Sequence, residues 1–106
     1  MITNQFKVIV THTAYNEIKE AYNYISKNLY SKVAAEMLMK EIDKEIIYLK
    51  SLPKMYARIK QSSNFERIYR KVVINNYVLI YTVDDENEIV CIVHFYYSGK
   101  NYLDLI

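Results

Sequence analysis

The spacing of apolar residues changes twice along the chain, and each change marks a different kind of element. Phe6, Val8 and Val10 alternate with Lys7, Ile9 and Thr11, the two-residue period of a short, mostly apolar strand. From there the period lengthens. Ala14, Ile18, Ala21, Tyr22, Ile25 and Leu29 recur at three and four residues, one face of a helix that Thr13 can cap. Glu17 and Glu20 stand early in that helix, where its dipole favours anions. A second stripe of Ala35, Leu38, Ile42, Ile46 and Leu49 follows a capping residue, Ser31, and runs to Leu52, where Pro53 stops it. Few residues separate the two stripes, so the helices should pack as an antiparallel hairpin.

Beyond Pro53 a polar, basic connection through Ser62, Ser63 and Asn64 shows no period. The pattern then shortens again. Arg67 to Ile74 and Tyr77 to Val83 are rich in β-branched and aromatic residues, and Asn75-Asn76 between them suits the positive φ of a tight hairpin turn. Asp84 to Glu88 makes the next turn, and Ile89 to Tyr97 is the last strand of an antiparallel meander. Both faces of these strands carry apolar residues, so one face should meet the helices and the other be partly covered. The predicted fold is α+β: an N-terminal strand, an antiparallel two-helix hairpin, then three antiparallel strands, forming one sheet packed on the helices.

Composition narrows the function classes. At 106 residues, 52% of them hydrophobic, the chain suits a single domain over 1–106. The lone Cys91 sits in an apolar run, which excludes a disulfide framework and a Cys-rich zinc module; it is expected as buried packing in a reducing, cytoplasmic setting. No apolar run approaches the roughly 20 residues of a membrane span, and no leader-like segment opens the chain. Carboxylate pairs, Gly-rich phosphate loops and metal-ligand spacings do not stand out, so neither a metal nor a cofactor is expected. Net charge is only +2, but its distribution is uneven. Between Lys54 and Lys71 the only anion is Glu66, whereas Arg58, Lys60, Arg67, Arg70 and Lys71 all fall there, a candidate surface for a phosphate backbone or an acidic partner.

Two long stretches, "AYNEIKEAYNYISKNLYSKVAAEMLMKEIDKEIIYLKSLP" and "YRKVVINNYVLIYTVDDENEIVCIVHFYYSGKNY", carry a resemblance that covers nearly the whole chain. The first is similar to the helical hairpin, YI motif and closing proline of the RelE/ParE superfamily of toxins from type II toxin-antitoxin modules. In the second, Tyr69-Arg70, Asn76-Tyr77, Tyr81, Val83-Asp84, Ile92 and Lys100 stand where such toxins often show a YR, an NY, an aromatic, a VD, an isoleucine and a terminal basic residue. The long hairpin is more similar to the ParE side. That resemblance implies a growth-inhibiting, plasmid-stabilising toxin that poisons DNA gyrase and is neutralised by a cognate antitoxin. A RelE-like ribosome-dependent endoribonuclease that cuts mRNA, or a degenerate antitoxin-binding member, are the alternatives; outside the family, the layout could host a generic RNA-binding module. Val78 aligns with an arginine of RelE-like members, a departure that speaks against their catalysis.

Metal-free RNA cleavage needs a proton acceptor, a proton donor and cations around the phosphate. The resemblance implies Arg70, Lys100 and Tyr102 for those roles, with Tyr97 near the active end of the sheet and Tyr102 stacking on a base. His94 could transfer protons. No second histidine or carboxylate is spaced like a partner for it. Arg70 and Lys71 alternate on a strand, so only one of them can share a surface with Lys100. Arg58, Lys60, Arg67, Arg70, Lys71 and Lys100 are the candidate target-binding cations. The single glycine, Gly99, is read as a bend that presents Lys100 and Tyr102 beside these cations, or as a turn tucking Leu103, Leu105 and Ile106 inward. With 12 tyrosines in the chain, any one of them is more often a filler than a functional group.

Overall fold

The computed structural model describes residues 5–59 and 67–99. Strand β1 (Lys7–Val10) leads into helix α1 (His12–Asn23), which continues as a π-helical turn (Tyr24–Asn28); helix α2 (Lys32–Ser51) and strands β2 (Arg70–Ile74), β3 (Tyr77–Asp84) and β4 (Ile89–Tyr97) follow. This is the α+β order the periodicities predict. The strands form one mixed sheet, β1-β4-β3-β2, with β1 parallel to β4 and the other pairs antiparallel.

Local chemistry explains most boundaries. The cap of α1 is Thr11 rather than Thr13: its hydroxyl accepts from the Ala14 amide at 3.1 Å. The Thr11 amide also donates to the Ile92 carbonyl at 3.0 Å, which holds the residue extended and ready to cap. Glu17 consequently lies beyond the first turn, and its carboxylate is turned to the sheet instead of the helix end. The Leu29 amide reaches back to the Tyr24 carbonyl at 3.2 Å, one residue further than an α-helical bond. This extra residue coincides with the apolar stripe breaking off, and Leu29 is exposed. Ser31 caps α2 as expected, accepting from the Ala34 amide, and the helix ends before Pro53. Asn75 takes φ 55°, a left-handed value that asparagine tolerates better than most residues. Strand β2 starts at Arg70, later than the sequence suggests, and just before it the Tyr69 carbonyl accepts from the Ile59 amide at 2.8 Å.

The core lies between the helices and one face of the sheet. Ala14, Ala21, Leu38, Ile42 and Leu49 pack on Val72, Leu79, Tyr81, Val90, Ile92 and Phe95. Each large side chain buried this way contributes about 2 kcal/mol of transfer free energy. A second cluster of Ile59, Val78, Ile80 and Tyr96, flanked by Tyr69 and Val93, covers the outer face. Ile59 arrives there because the chain after α2 returns along β2, with an isolated bridge between Arg58 and Arg70.

A β-bulge decides what the outer face displays. Tyr81 pairs with Ile92 but Ile80 pairs with His94, so Val93 is an extra residue in β4. Before the bulge Val90 and Ile92 face the helices; after it Phe95 does, and His94 and Tyr96 fall on the opposite face.

Candidate functional site

Two transverse rows cross the outer face. Lys71, Ile80 and His94 are in register on β2, β3 and β4, and Val73, Val78 and Tyr96 form the next row. At ordinary strand spacing the backbones of Lys71 and His94 are about 10 Å apart. The sheet therefore places Lys71, not Arg70, on the face with His94.

His94 has the carboxylate partner that its sequence neighbourhood lacks. The sheet needs an acceptor here: β1 covers only Ile89 to Ile92, leaving the rest of β4 as an edge. Helix α1 runs past that edge and Glu17 Oε1 accepts from the Phe95 amide at 3.1 Å. The same oxygen lies 3.2 Å from His94 Nδ1, and the Tyr96 hydroxyl lies 2.8 Å from that nitrogen. The His94 and Tyr96 rings stack with centroids 4.8 Å apart. Burial, reinforced by the Glu17 charge, pushes the Tyr96 phenol up, so it keeps its proton at neutral pH. A carboxylate, an imidazole and a phenol thus converge from elements 77 residues apart, a distance no local motif spans.

The other sequence candidates are dispersed. Arg70 faces the helices, where its guanidinium donates to the Tyr56 carbonyl at 2.8 Å. Near it the Tyr81 hydroxyl is buried with no hydrogen-bond partner among the described residues; burial raises its pKa, against the pull of the Arg70 charge and the nearby Tyr56 backbone. Tyr56 in turn donates its hydroxyl to Glu45, and burial followed by that bond raises its pKa. Arg58 and Arg67 are exposed beside β2. Tyr97 lies on the helix side, edge-on to Tyr77 with centroids 5.9 Å apart. There it lines an apolar groove of about 810 Å³ with Tyr24, Ile25, Leu29, Leu38 and Tyr77. Lys60, Lys100 and Tyr102, with the tail residues Leu103, Leu105 and Ile106, lie outside the described residues.

One further reading changes, and Gly99, which lies in a turn, gains a steric reason. Cys91 is partly exposed and lines a cavity of about 490 Å³ with Arg67, Thr82 and Asp84, because it pairs with Thr82 on the thinly covered end of the outer face. Gly99 does not use a left-handed φ; a Cβ there would come within 2.6 Å of Cε2 of the Tyr97 ring. The glycine makes room for that ring. Among the described residues no three His, Cys, Asp or Glu side chains are grouped to hold a metal ion, and no helix is long and apolar enough to cross a membrane.

The family model for the ParE toxin of the type II toxin-antitoxin system parDE matches residues 8–102. The chain belongs to the ParE toxin family. Its fold is similar to that in a chromosomal ParDE system from P. aeruginosa, at a TM-score of 0.67 and 12% identity, covering 90% of this chain and 98% of that one. It is also similar to an archaeal RelE-RelB complex from Pyrococcus horikoshii OT3, with a TM-score of 0.62, 12% identity, and coverage of 91% and 98%. The RelBE2 toxin-antitoxin complex of Mycobacterium tuberculosis matches with a TM-score of 0.62 and 16% identity, covering 88% and 98%. No match was found among curated proteins. At these identities the solved structures establish the fold, and this ParE-family chain shares it with RelE toxins as well as ParE.

Proposed function

We propose that this toxin arrests bacterial growth by poisoning DNA gyrase and is neutralised by a cognate antitoxin. The observation that carries the gyrase reading is the outer sheet face. Val78, at the position aligned with a RelE-like arginine, is 1% exposed within the apolar cluster of Ile59, Ile80 and Tyr96. Arg70 is turned to the helices and tied to the Tyr56 carbonyl. A face so composed favours contact with a protein over a charged phosphodiester, with exposed Arg67 at its margin supplying charge. The antitoxin is inferred from the neighbours, several of which are toxin-antitoxin complexes. The exposed Tyr24, Leu29 and Tyr97 around the groove are apolar surface that such a partner would cover.

A second reading, ribosome-dependent cleavage of mRNA, is favoured by one observation, the Glu17, His94 and Tyr96 cluster. Pulse-labelling during induced expression separates the two. A fall in thymidine incorporation ahead of methionine supports gyrase; an immediate collapse of methionine incorporation supports the ribosome and removes the first reading. Arg67→Glu tests the contact surface: weakened toxicity with an unchanged melting temperature is the expected result.

A further inference from the structure

The turn that joins the two helices holds a tyrosine where a glycine would be easier. The Leu29 amide donates back to the Tyr24 carbonyl and the Ser31 amide to the Ile25 carbonyl, at 3.2 and 3.1 Å. Between those two bonds Tyr30 takes φ 50°, the left-handed conformation in which helices commonly end on glycine. Any side chain is strained there, and a tyrosine more than an asparagine. Packing does not repay the strain, because Tyr30 is 91% exposed. Val33 and Met37 follow at spacings of three and four residues, 72% and 59% exposed, on the side of α2 opposite the buried Ala35, Leu38 and Ile42. The charge around this tip has one sign. Between Glu20 and Glu36 the chain carries Lys27 and Lys32 and no acid. Both lysines are exposed, and neither has a carboxylate within ion-pair distance among the described residues. Glu36, the next acid along α2, accepts from the Tyr22 hydroxyl at 3.0 Å.

We propose that this tip, Tyr30 with Val33 and Met37 and the flanking Lys27 and Lys32, is a docking knob for an apolar, acid-rimmed recess on the gyrase protein. This rests on the gyrase reading above and adds a contact separate from the outer sheet face. Tyrosine and methionine are enriched at the centre of protein interfaces, whereas lysines belong at their rim, and the tip has that arrangement. Its two flanking backbone bonds hold Tyr30 outward before any partner arrives, so little ordering remains to be done on binding. The lysines set the partner's charge: a recess with carboxylates at its margin complements them, and a second copy of this chain would oppose lysine to lysine. Three exposed apolar residues against two cations favour a protein over the DNA that gyrase holds. The groove is a different surface. Tyr24 and Leu29 line it, but Tyr30, Val33 and Met37 do not.

The test uses the full chain with purified bacterial gyrase and supercoiled plasmid, and reads the cleaved plasmid trapped on the enzyme. Tyr30→Gly relieves the left-handed strain, so its melting temperature should equal or exceed that of the wild type. It should nevertheless need on the order of thirtyfold more toxin for the same cleavage, the scale of a lost hot-spot tyrosine. Lys27→Glu with Lys32→Glu, both exposed positions, should weaken cleavage and remove part of its salt dependence. A photoreactive benzoylphenylalanine at position 30 should form its adduct with a gyrase polypeptide. Undiminished cleavage by a folded Tyr30→Gly overturns the proposal and leaves the gyrase reading standing. So does an adduct only with DNA or with a second copy of the toxin, or no adduct at all. Absence of trapped cleavage with the wild type removes the gyrase reading and the proposal with it.

Discussion

Thr11 serves two structures at once. Its amide finishes the parallel ladder on β4 and its hydroxyl caps α1, so the strand's last bond sets the geometry of the helix's first turn. Thr11→Ala should cost about 1 kcal/mol, measured as a lowered denaturant midpoint with unchanged slope, while Thr13→Ala should have little effect. That contrast checks a boundary the sequence leaves ambiguous, since two threonines stand there and only the tertiary bond to Ile92 selects one. Arg70 is a comparable case. Its strand position was legible, but its role was not: the pattern shows alternation without saying which face meets the helices. The bond from its guanidinium to the Tyr56 carbonyl makes Arg70→Ala destabilising by about 1.5–3 kcal/mol. The expected signature is a loss of stability that accounts for any loss of toxicity; a variant with wild-type stability and no toxicity would contradict it.

Elements with strong local punctuation were readable. Ser31 and Pro53 bracket α2, and Asn75-Asn76 marks the turn between β2 and β3, because caps, ring constraints and positive φ act within a few residues. The bulge at Val93 escaped for the opposite reason. "IVCIVHFYY" has apolar residues at nearly every position, so its period cannot reveal where one residue drops out of register. With strict alternation Val90 and Ile92 would put His94 and Tyr96 against the helices. The pairing of His94 with Glu17 is equally invisible along the chain, being made only when α1 crosses the β4 edge. Deleting Val93 would turn β4 into a regular ladder with Phe95 still facing the helices and His94 and Tyr96 outward. The expected outcome is retained cooperative unfolding by circular dichroism; its loss would show that the fold needs the bulge itself.

Across the whole molecule, tyrosines tie stability to alkaline pH. Tyr56, Tyr77, Tyr81 and Tyr96 all have raised pKa values in the fold, with burial as the largest cause in each. A raised pKa means that the folded state holds its protons where the unfolded chain has released them. Their contribution is thus fully present below about pH 10, the ordinary tyrosine value, and declines as pH rises toward the folded values. Unfolding free energy measured between neutral and strongly alkaline pH should fall steeply above that point. A flat profile would contradict the burial of these phenols.

The parallel partner of β1 is β4, the last of the described strands. During synthesis, the opening segment must wait through the helices and two further strands before its neighbour exists. The chain cannot close its sheet on the ribosome until β4 has been translated, and Thr11 and Glu17 have no acceptor or donor on β4 until then. Pairings of such long sequence separation are slow to form. In a ParE-family chain built in this order, a truncated product lacking β4 would leave one edge of β3, and the whole of β1, without a partner.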